Sequence, residues 1–198
     1  MKQIEVTTRV NNTLEEIDNI LTNQEFKIIR TSRIEDKYLK SKDIKVNNSN
    51  ILDVLKKCVL IRYLCVNKSD VFKKITYKNK VYQNDVVISE EKININIDDI
   101  NEARKLFEAI NFELLTGVNY DAIVYSNGEI ELCFQNVENL GILLEYENVN
   151  DFEGKSNEEI LNEKNNMLNE LRMLKLNITD EFDVKKACEL IMNKINEW

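Results

Sequence analysis

Apolar and polar residues alternate along the start of the chain, over residues 3–10. One face of this segment carries Ile4, Val6, Thr8 and Val10. The other face carries Gln3, Glu5, Thr7 and Arg9. A period of two is typical of a β-strand with one buried face. The polar face looks either at bulk water or into an enclosed site, and the pattern of this one strand leaves both open.

The rest of the chain continues as strand-like and helix-like segments. Capping boxes at Thr13 and Ser156 predict helix starts, and a third helix is predicted from Asp98 or Asp99 to about residue 110. The pair Asn127-Gly128 predicts a tight hairpin turn, because both residues readily take positive φ. The predicted strands cover residues 3–10, 26–38, 58–66, 73–78, 86–97, 123–125, 129–134 and 142–147. We therefore predict a single α+β domain, residues 1–198, with about eight strands and with helices at about 156–196.

The amino-acid composition limits the kinds of catalytic and metal-binding site that the chain can form. Hydrophobic residues make up 43% and charged residues 31% of the chain, as in a globular domain. No apolar run reaches the ~18 residues of a membrane span, and the opening segment does not resemble a leader, so we expect a cytoplasmic protein. The four cysteines form no CxxC pair, which argues against a disulfide framework or a zinc site. Histidine is absent, which excludes a His base or a His-bound metal.

Charge is spread unevenly along the chain, whose formal net charge is -8. Residues 56–80 contain eight basic residues against one acid, whereas residues 129–163 contain ten acids against one lysine. A basic stretch suggests a phosphate-bearing partner and an acidic stretch suggests a metal ion. A solvated surface would explain both stretches equally well. The negative net charge and the few aromatic residues argue against nucleic acid as the partner.

Several later strands repeat the polar face of the first one. Arg62 and Lys78 each place a cation within an otherwise apolar strand, and Glu145 and Glu147 lie two residues apart on one face of another. Half-exposed sheets give this pattern. A closed barrel with a polar interior gives it on every strand, and it brings acids and bases from distant segments together.

Five segments of the chain have residue types and spacings that can be compared with known sequence motifs. They are QIEVTTR at 3–9, DKY at 36–38, CVLIR at 58–62, ITYK at 75–78 and QNVENLGILLEYE at 135–147. In this order they resemble the motifs E-x-E-x-K, D-x-Y, A-L-R-I-R, L-T-Y-K and D-x-V-x-x-L-G-x-F-x-E-I-E of the CYTH superfamily, the triphosphate tunnel proteins that include class IV adenylate cyclases and thiamine triphosphatases. The segment DVKKACEL at 183–190 is weakly similar to a further motif of that family, D-x-K-S-Y-x-x-L.

The resemblance implies a closed or nearly closed antiparallel β-barrel, a triphosphate tunnel, with flanking helices. It implies a divalent-metal-dependent phosphohydrolase or adenylate cyclase-like enzyme that acts on a nucleotide, organic or inorganic triphosphate with Mg²⁺ or Mn²⁺. The residues matched to triphosphate binding are Arg9, Arg62 and Lys78. The residues matched to metal binding are Glu5, Glu145 and Glu147. No residue is assigned a catalytic role.

Other positions depart from the family pattern. Gln3, Thr7 and Gln135 stand where the motifs have charged residues, and the strand that should carry acids near residues 90–96 carries Lys92 and Asn94 instead. A second hypothesis is therefore a degenerate member that binds an anionic ligand or nucleotide without turnover. The sequence leaves monomer and homodimer open.

Overall fold

A computed structural model describes residues 4–83, 86–148 and 152–196, with the side chains of residues 78–91 left out of the description. The strands are β1 (Ile4–Val10), β2 (Lys27–Ser41), β3 (Val59–Val66), β4 (Asp70–Gln83), β5 (Val86–Asn96), β6 (Phe112–Ser126), β7 (Glu131–Val137) and β8 (Gly141–Asn148). The helices are α1 (Leu14–Thr22), α2 (Ile51–Leu55), α3 (Ile100–Ala109), α4 (Asn157–Met173) and α5 (Lys186–Asn196). The α+β class is confirmed.

All eight strands belong to one antiparallel sheet, in the order β1-β8-β7-β6-β2-β3-β4-β5. β2 and β6 are each 15 residues long and pair in the middle of the sheet. A turn at Asn127-Gly128 joins β6 to β7 as predicted, and Gly128 has φ +93°, a conformation that favours glycine. Asn127 does not take the positive φ that the prediction gave it, and residues 127–130 form the loop. The predicted capping boxes form at Thr13 and at Ser156, where α1 and α4 begin.

The predicted closed barrel is not shown, because no hydrogen-bonded ladder joins β1 to β5 among the described residues. The free edge of β1 pairs with the segment 177–184 instead. The amide of Thr7 donates to the carbonyl of Phe182, and Thr7 accepts from the amide of Val184. The C-terminal segment therefore satisfies the backbone groups through which β1 would close a barrel.

The two faces of the sheet are buried by different helices. One face packs Phe134 and Leu144 against α1 and α4, while α3 covers the same face farther along the sheet, near Ile61. The opposite face packs Tyr120 and Leu143 against α5. The polar residues of β1, β3 and β8 that the sequence singled out lie on this second face, since directly paired residues of antiparallel strands share a face.

Three local predictions differ from the structure. β6 begins at Phe112, about ten residues before the predicted strand at 123–125. The short helix α2 has no counterpart among the predicted elements. The predicted helical region 156–196 is interrupted before the last helix, which begins at Lys186, because residues 177–184 are extended along β1. No helix formed by the described residues has both the length and the apolar character that crossing a membrane requires.

Candidate functional site

A cavity of about 180 Å³ lies between the second face of the sheet and the start of α5. Its walls come from β1, β2, β3, β4, β5, β6 and β8, from α2, and from the segment that leads into α5. The charged residues of its lining are Glu5, Lys56, Arg62, Lys92, Glu145, Asp183, Lys185 and Lys186. Five cations and three acids thus meet in one cavity, although they come from segments far apart in the chain.

Arg62 stands on β3 opposite Asp36 of β2, its direct cross-strand neighbour. Nε of Arg62 donates to Oδ1 of Asp36 at 2.6 Å, and Nη2 donates to Oδ2. Burial alone would lower the pKa of Arg62, but the hydrogen bonds and the charge of Asp36 outweigh it and raise the pKa. Asp36 is only 2 % exposed. The pair is therefore a bidentate ion pair in the wall of the cavity.

Lys74 does not line the cavity, but it is the cross-strand neighbour on β4 of Arg62, which does, and it shares the same face of the sheet. Burial lowers the pKa of Lys74, and the positive charges of Arg62 and Lys92 lower it further. The charges of Arg62 on β3 and Lys92 on β5 thus both act against the charge of Lys74 on β4, and Asp36 offsets part of their effect. Such a group favours a bound anion, because an anion relieves the repulsion.

The acidic residues Glu5 of β1 and Glu145 of β8 also line the cavity, and each accepts hydrogen bonds from neighbouring side chains. The Thr7 hydroxyl donates to Oε1 of Glu5 at 3.0 Å. On β8, Oε2 of Glu145 accepts from Nε2 of Gln135 at 2.8 Å and from Nζ of Lys186 at 3.4 Å. Glu145 is thus held in place by a neutral amide and an ammonium group.

Three of the six predicted site residues line this cavity together, namely Glu5, Arg62 and Glu145. Arg9 instead binds two carboxylates of the C-terminal region: Nε donates to Glu181 at 3.1 Å, and Nη2 donates to Glu189. The predicted role of Arg9 in phosphate binding stays a prediction.

For the other two predicted residues, Glu147 and Lys78, the pairing of the strands gives the position. Glu147 pairs with Glu5 across β8 and β1 and shares its face of the sheet. The side chain of Lys78 lies outside the described residues; its backbone pairs with Lys92 on β5. Lys78 stays a predicted phosphate ligand.

The predicted metal ligands are three glutamates on β1 and β8. Glu5, Glu145 and Glu147 share a face, but nowhere in the described part of the chain do three His, Cys, Asp or Glu residues form a group that could hold a metal ion. The carboxylate of Glu145 is already bound by Lys186. Divalent ions such as Mg²⁺ need several oxygen ligands around one point. Because Lys186 binds Glu145, the residues as arranged here do not fit a divalent ion, and the metal-binding role of Glu5, Glu145 and Glu147 stays a prediction.

Sequence reasoning missed Asp36, Lys74 and Lys186 as site residues. Asp36 stands in the D-x-Y match, and an acid within a buried strand is a signal for a charged partner. Lys74 lies four residues before Lys78 in the same strand, hence on the same face. Nothing in the local sequence of Lys186 marks it, because its position follows from how α5 docks on the sheet.

The fold is shared with several solved structures. A protein of Pyrococcus horikoshii OT3, PH1819, matches with a TM-score of 0.70 and 20% identity over 97% of this chain and 99% of its own. A candidate adenylate cyclase from Vibrio parahaemolyticus matches with a TM-score of 0.62 and 10% identity over 97% and 98%. A candidate adenylyl cyclase from Hippeastrum, HpAC1, described as having a dominant triphosphatase activity, matches with a TM-score of 0.58 and 13% identity over 98% and 96%.

No protein-family model and no curated protein matches the sequence. The structural matches extend over nearly the whole chain, although identity is low. The chain shares the fold of these structures, two of which are candidate adenylate cyclases, a class of protein that its ordered motifs resemble. A shared fold does not by itself define an activity, so the function has to be argued from the cavity.

Proposed function

We propose that the protein binds the triphosphate group of a nucleotide, an organic triphosphate or inorganic tripolyphosphate in this cavity. The observation that carries the proposal is the placement of Arg62, Lys74 and Lys92 on one face of three adjacent strands, where the charges of Arg62 and Lys92 both act on Lys74. A phosphate chain has several anionic oxygens and would neutralise these cations together. The triphosphatase activity stated for the Hippeastrum neighbour agrees with this class of ligand.

The arrangement of Arg62 leaves it able to bind a ligand. Nε and Nη2 bind Asp36, while Nη1 has no hydrogen bond to any of the described residues. Asp36 therefore orients the guanidinium and leaves one nitrogen for a phosphate oxygen. A cavity of about 180 Å³ is below the ~300–1,000 Å³ of a typical small-molecule site. It suits a phosphate chain, with any organic group held at its mouth.

Calorimetric titration with tripolyphosphate tests the proposal, with two variants of adjacent lysines. Lys74→Gln removes a cation from the cavity face. Lys73→Gln makes the same charge change on the opposite face, where Nζ of Lys73 donates to the carbonyl of Asp98 at 2.8 Å. We expect saturable binding that weakens about tenfold in Lys74→Gln, the loss of one charged contact, and remains in Lys73→Gln. Equal losses in both variants would contradict a site in the cavity.

Turnover is a second candidate function, either hydrolysis of a triphosphate or an adenylate cyclase-like reaction with Mg²⁺ or Mn²⁺. It is favoured by Glu5 and Glu145, which line the same cavity as the cations. Release of phosphate or pyrophosphate from ATP, thiamine triphosphate and tripolyphosphate, each with Mg²⁺ and with Mn²⁺, tests it. Binding without product from any of these substrates would favour a degenerate, ligand-binding member of the fold.

A further inference from the structure

Lys186 is the first residue of α5, and its ammonium group enters the cavity. Nζ donates to Oε1 of Gln135 and lies 3.4 Å from Oε2 of Glu145. Gln135, in turn, donates through Nε2 to the same oxygen of Glu145 at 2.8 Å. The three groups form a closed triangle of contacts in which Glu145 is the only anion and Lys186 the only cation.

The aromatic ring of Tyr120 also contacts the ammonium group of Lys186. Nζ of Lys186 lies 4.9 Å from the centre of the Tyr120 ring, within the range of a cation–π interaction. Tyr120 is 6 % exposed and Gln135 is 3 % exposed, so neither partner can move freely. The position of the ammonium is therefore determined by buried groups on β6 and β7 as well as by Glu145.

The charges in the triangle balance without a metal. Glu145 contributes one negative charge, Lys186 one positive charge, and Gln135 none. A divalent ion at Glu145 would lie beside the ammonium and would be repelled by it, and Gln135 supplies no carboxylate to compensate. The position that follows Lys185 in the chain matches a serine in the weak C-terminal motif, so the family pattern does not account for Lys186.

We propose that Lys186 replaces a divalent ion beside Glu145, so that this cavity binds a triphosphate without metal. This inference rests on the triphosphate binding proposed above. The phosphate chain would contact the cations of β3, β4 and β5, while the ammonium of Lys186 neutralises Glu145, the acid of β8 that lines the cavity and would otherwise repel it.

The first experiment titrates the protein with tripolyphosphate in EDTA and again with saturating Mg²⁺, with the free ligand concentration corrected for its magnesium complex. The same Kd under both conditions is the expected result. Binding that needs Mg²⁺ would overturn the inference and leave the proposed function standing. No binding under either condition would overturn the proposed function, and the inference with it.

The second experiment uses Glu145→Gln. For this variant, neutralisation of Glu145 by Lys186 and metal binding by Glu145 predict opposite changes in the affinity for tripolyphosphate. If Glu145 is neutralised by Lys186, its removal adds one net positive charge to the cavity, and the Kd for tripolyphosphate in EDTA falls. If Glu145 is a metal ligand, its removal weakens Mg²⁺-dependent binding and abolishes binding of Mn²⁺ alone, followed by electron paramagnetic resonance. Glu129→Gln, in the exposed β6–β7 turn, makes the same charge change away from the cavity and controls for net charge.

The third experiment compares Lys186→Met with Lys186→Arg. We expect Lys186→Met to weaken binding in EDTA about tenfold, and Lys186→Arg to restore most of it, because the cation beside Glu145 returns. Thermal unfolding of each variant separates loss of the site from loss of the fold. An unchanged Kd in a folded Lys186→Met protein would overturn the assignment.

Discussion

The ion pair between Asp36 and Arg62 gives the most quantitative prediction. The side chain of Asp36 is 3 % exposed and that of Arg62 is 21 % exposed. Removing either partner leaves the other charge with little access to water. Loss of one partner of a buried ion pair typically costs ~3–5 kcal/mol of unfolding free energy. We therefore expect Asp36→Leu and Arg62→Met each to lower the free energy of unfolding by about this amount.

The double variant separates the pair from its surroundings. Replacing both charges by apolar groups, as in Asp36→Leu with Arg62→Met, leaves no uncompensated charge, and such replacements are often close to neutral. The double variant should therefore be more stable than either single variant, with a coupling energy of at least ~3 kcal/mol. Urea unfolding followed by far-ultraviolet circular dichroism gives the free energy of unfolding of the unmodified protein and of each variant. The comparison is valid provided that the free energies depend on urea concentration with the same slope.

An exposed pair on the same central strand provides the control. Nη2 of Arg33 donates to Glu138 at 2.5 Å, with the side chains 35% and 48% exposed. Exposed pairs contribute little because water screens them, so the cycle on Arg33 and Glu138 should show a much smaller coupling. Equal couplings in the two cycles, or a double variant at Asp36 and Arg62 that costs the sum of the single variants, would refute the reasoning.

Three further predictions concern single features. Burial and the charges of Arg62 and Lys92 lower the pKa of Lys74 from 10.5. The affinity for tripolyphosphate should therefore fall as the pH rises towards 10, at a lower pH than an ordinary lysine would cause. Measurement of Kd at each pH checks this, and the pH dependence should be weaker in Lys74→Gln. Ser156→Ala removes the hydroxyl that accepts from the amide of Glu159 and should lower the free energy of unfolding by ~1 kcal/mol, measured by urea unfolding; an unchanged midpoint would mean that α4 frays. Leu144→Ala, at a residue 0 % exposed, should cost ~2–5 kcal/mol, and a cost below this range would show that the core around it collapses to fill the cavity.

Local signals in the sequence were enough for the elements with distinct turn and cap chemistry. The boxes at Thr13 and Ser156 and the turn at Gly128 depend on residues close together in the chain, so their prediction needs no knowledge of the tertiary structure. The early half of β6 was missed because Gly117 and Asn119 interrupt its strand pattern. Pairing with β2 over almost its full length overrides those weak propensities.

The candidate site was predictable only in part, since it depends on register and docking. Arg62 and Glu145 could be found as charges in apolar strands. The pairing of Arg62 with Asp36 follows from the β2–β3 register, which local sequence does not determine. The extended path of the segment before α5 depends on the free edge of β1, and it is this path that brings Lys186 to Glu145.

The central claim is that the cavity binds a triphosphate through the cations of β3, β4 and β5. A crystal structure of the protein grown with tripolyphosphate in EDTA tests it most directly. We predict density for the phosphate chain within hydrogen-bonding distance of Arg62, Lys74 and Lys92, with Lys186 still beside Glu145. A phosphate chain bound only on the outer surface, with the cavity unchanged at a ligand concentration that saturates the protein in solution, would contradict the account.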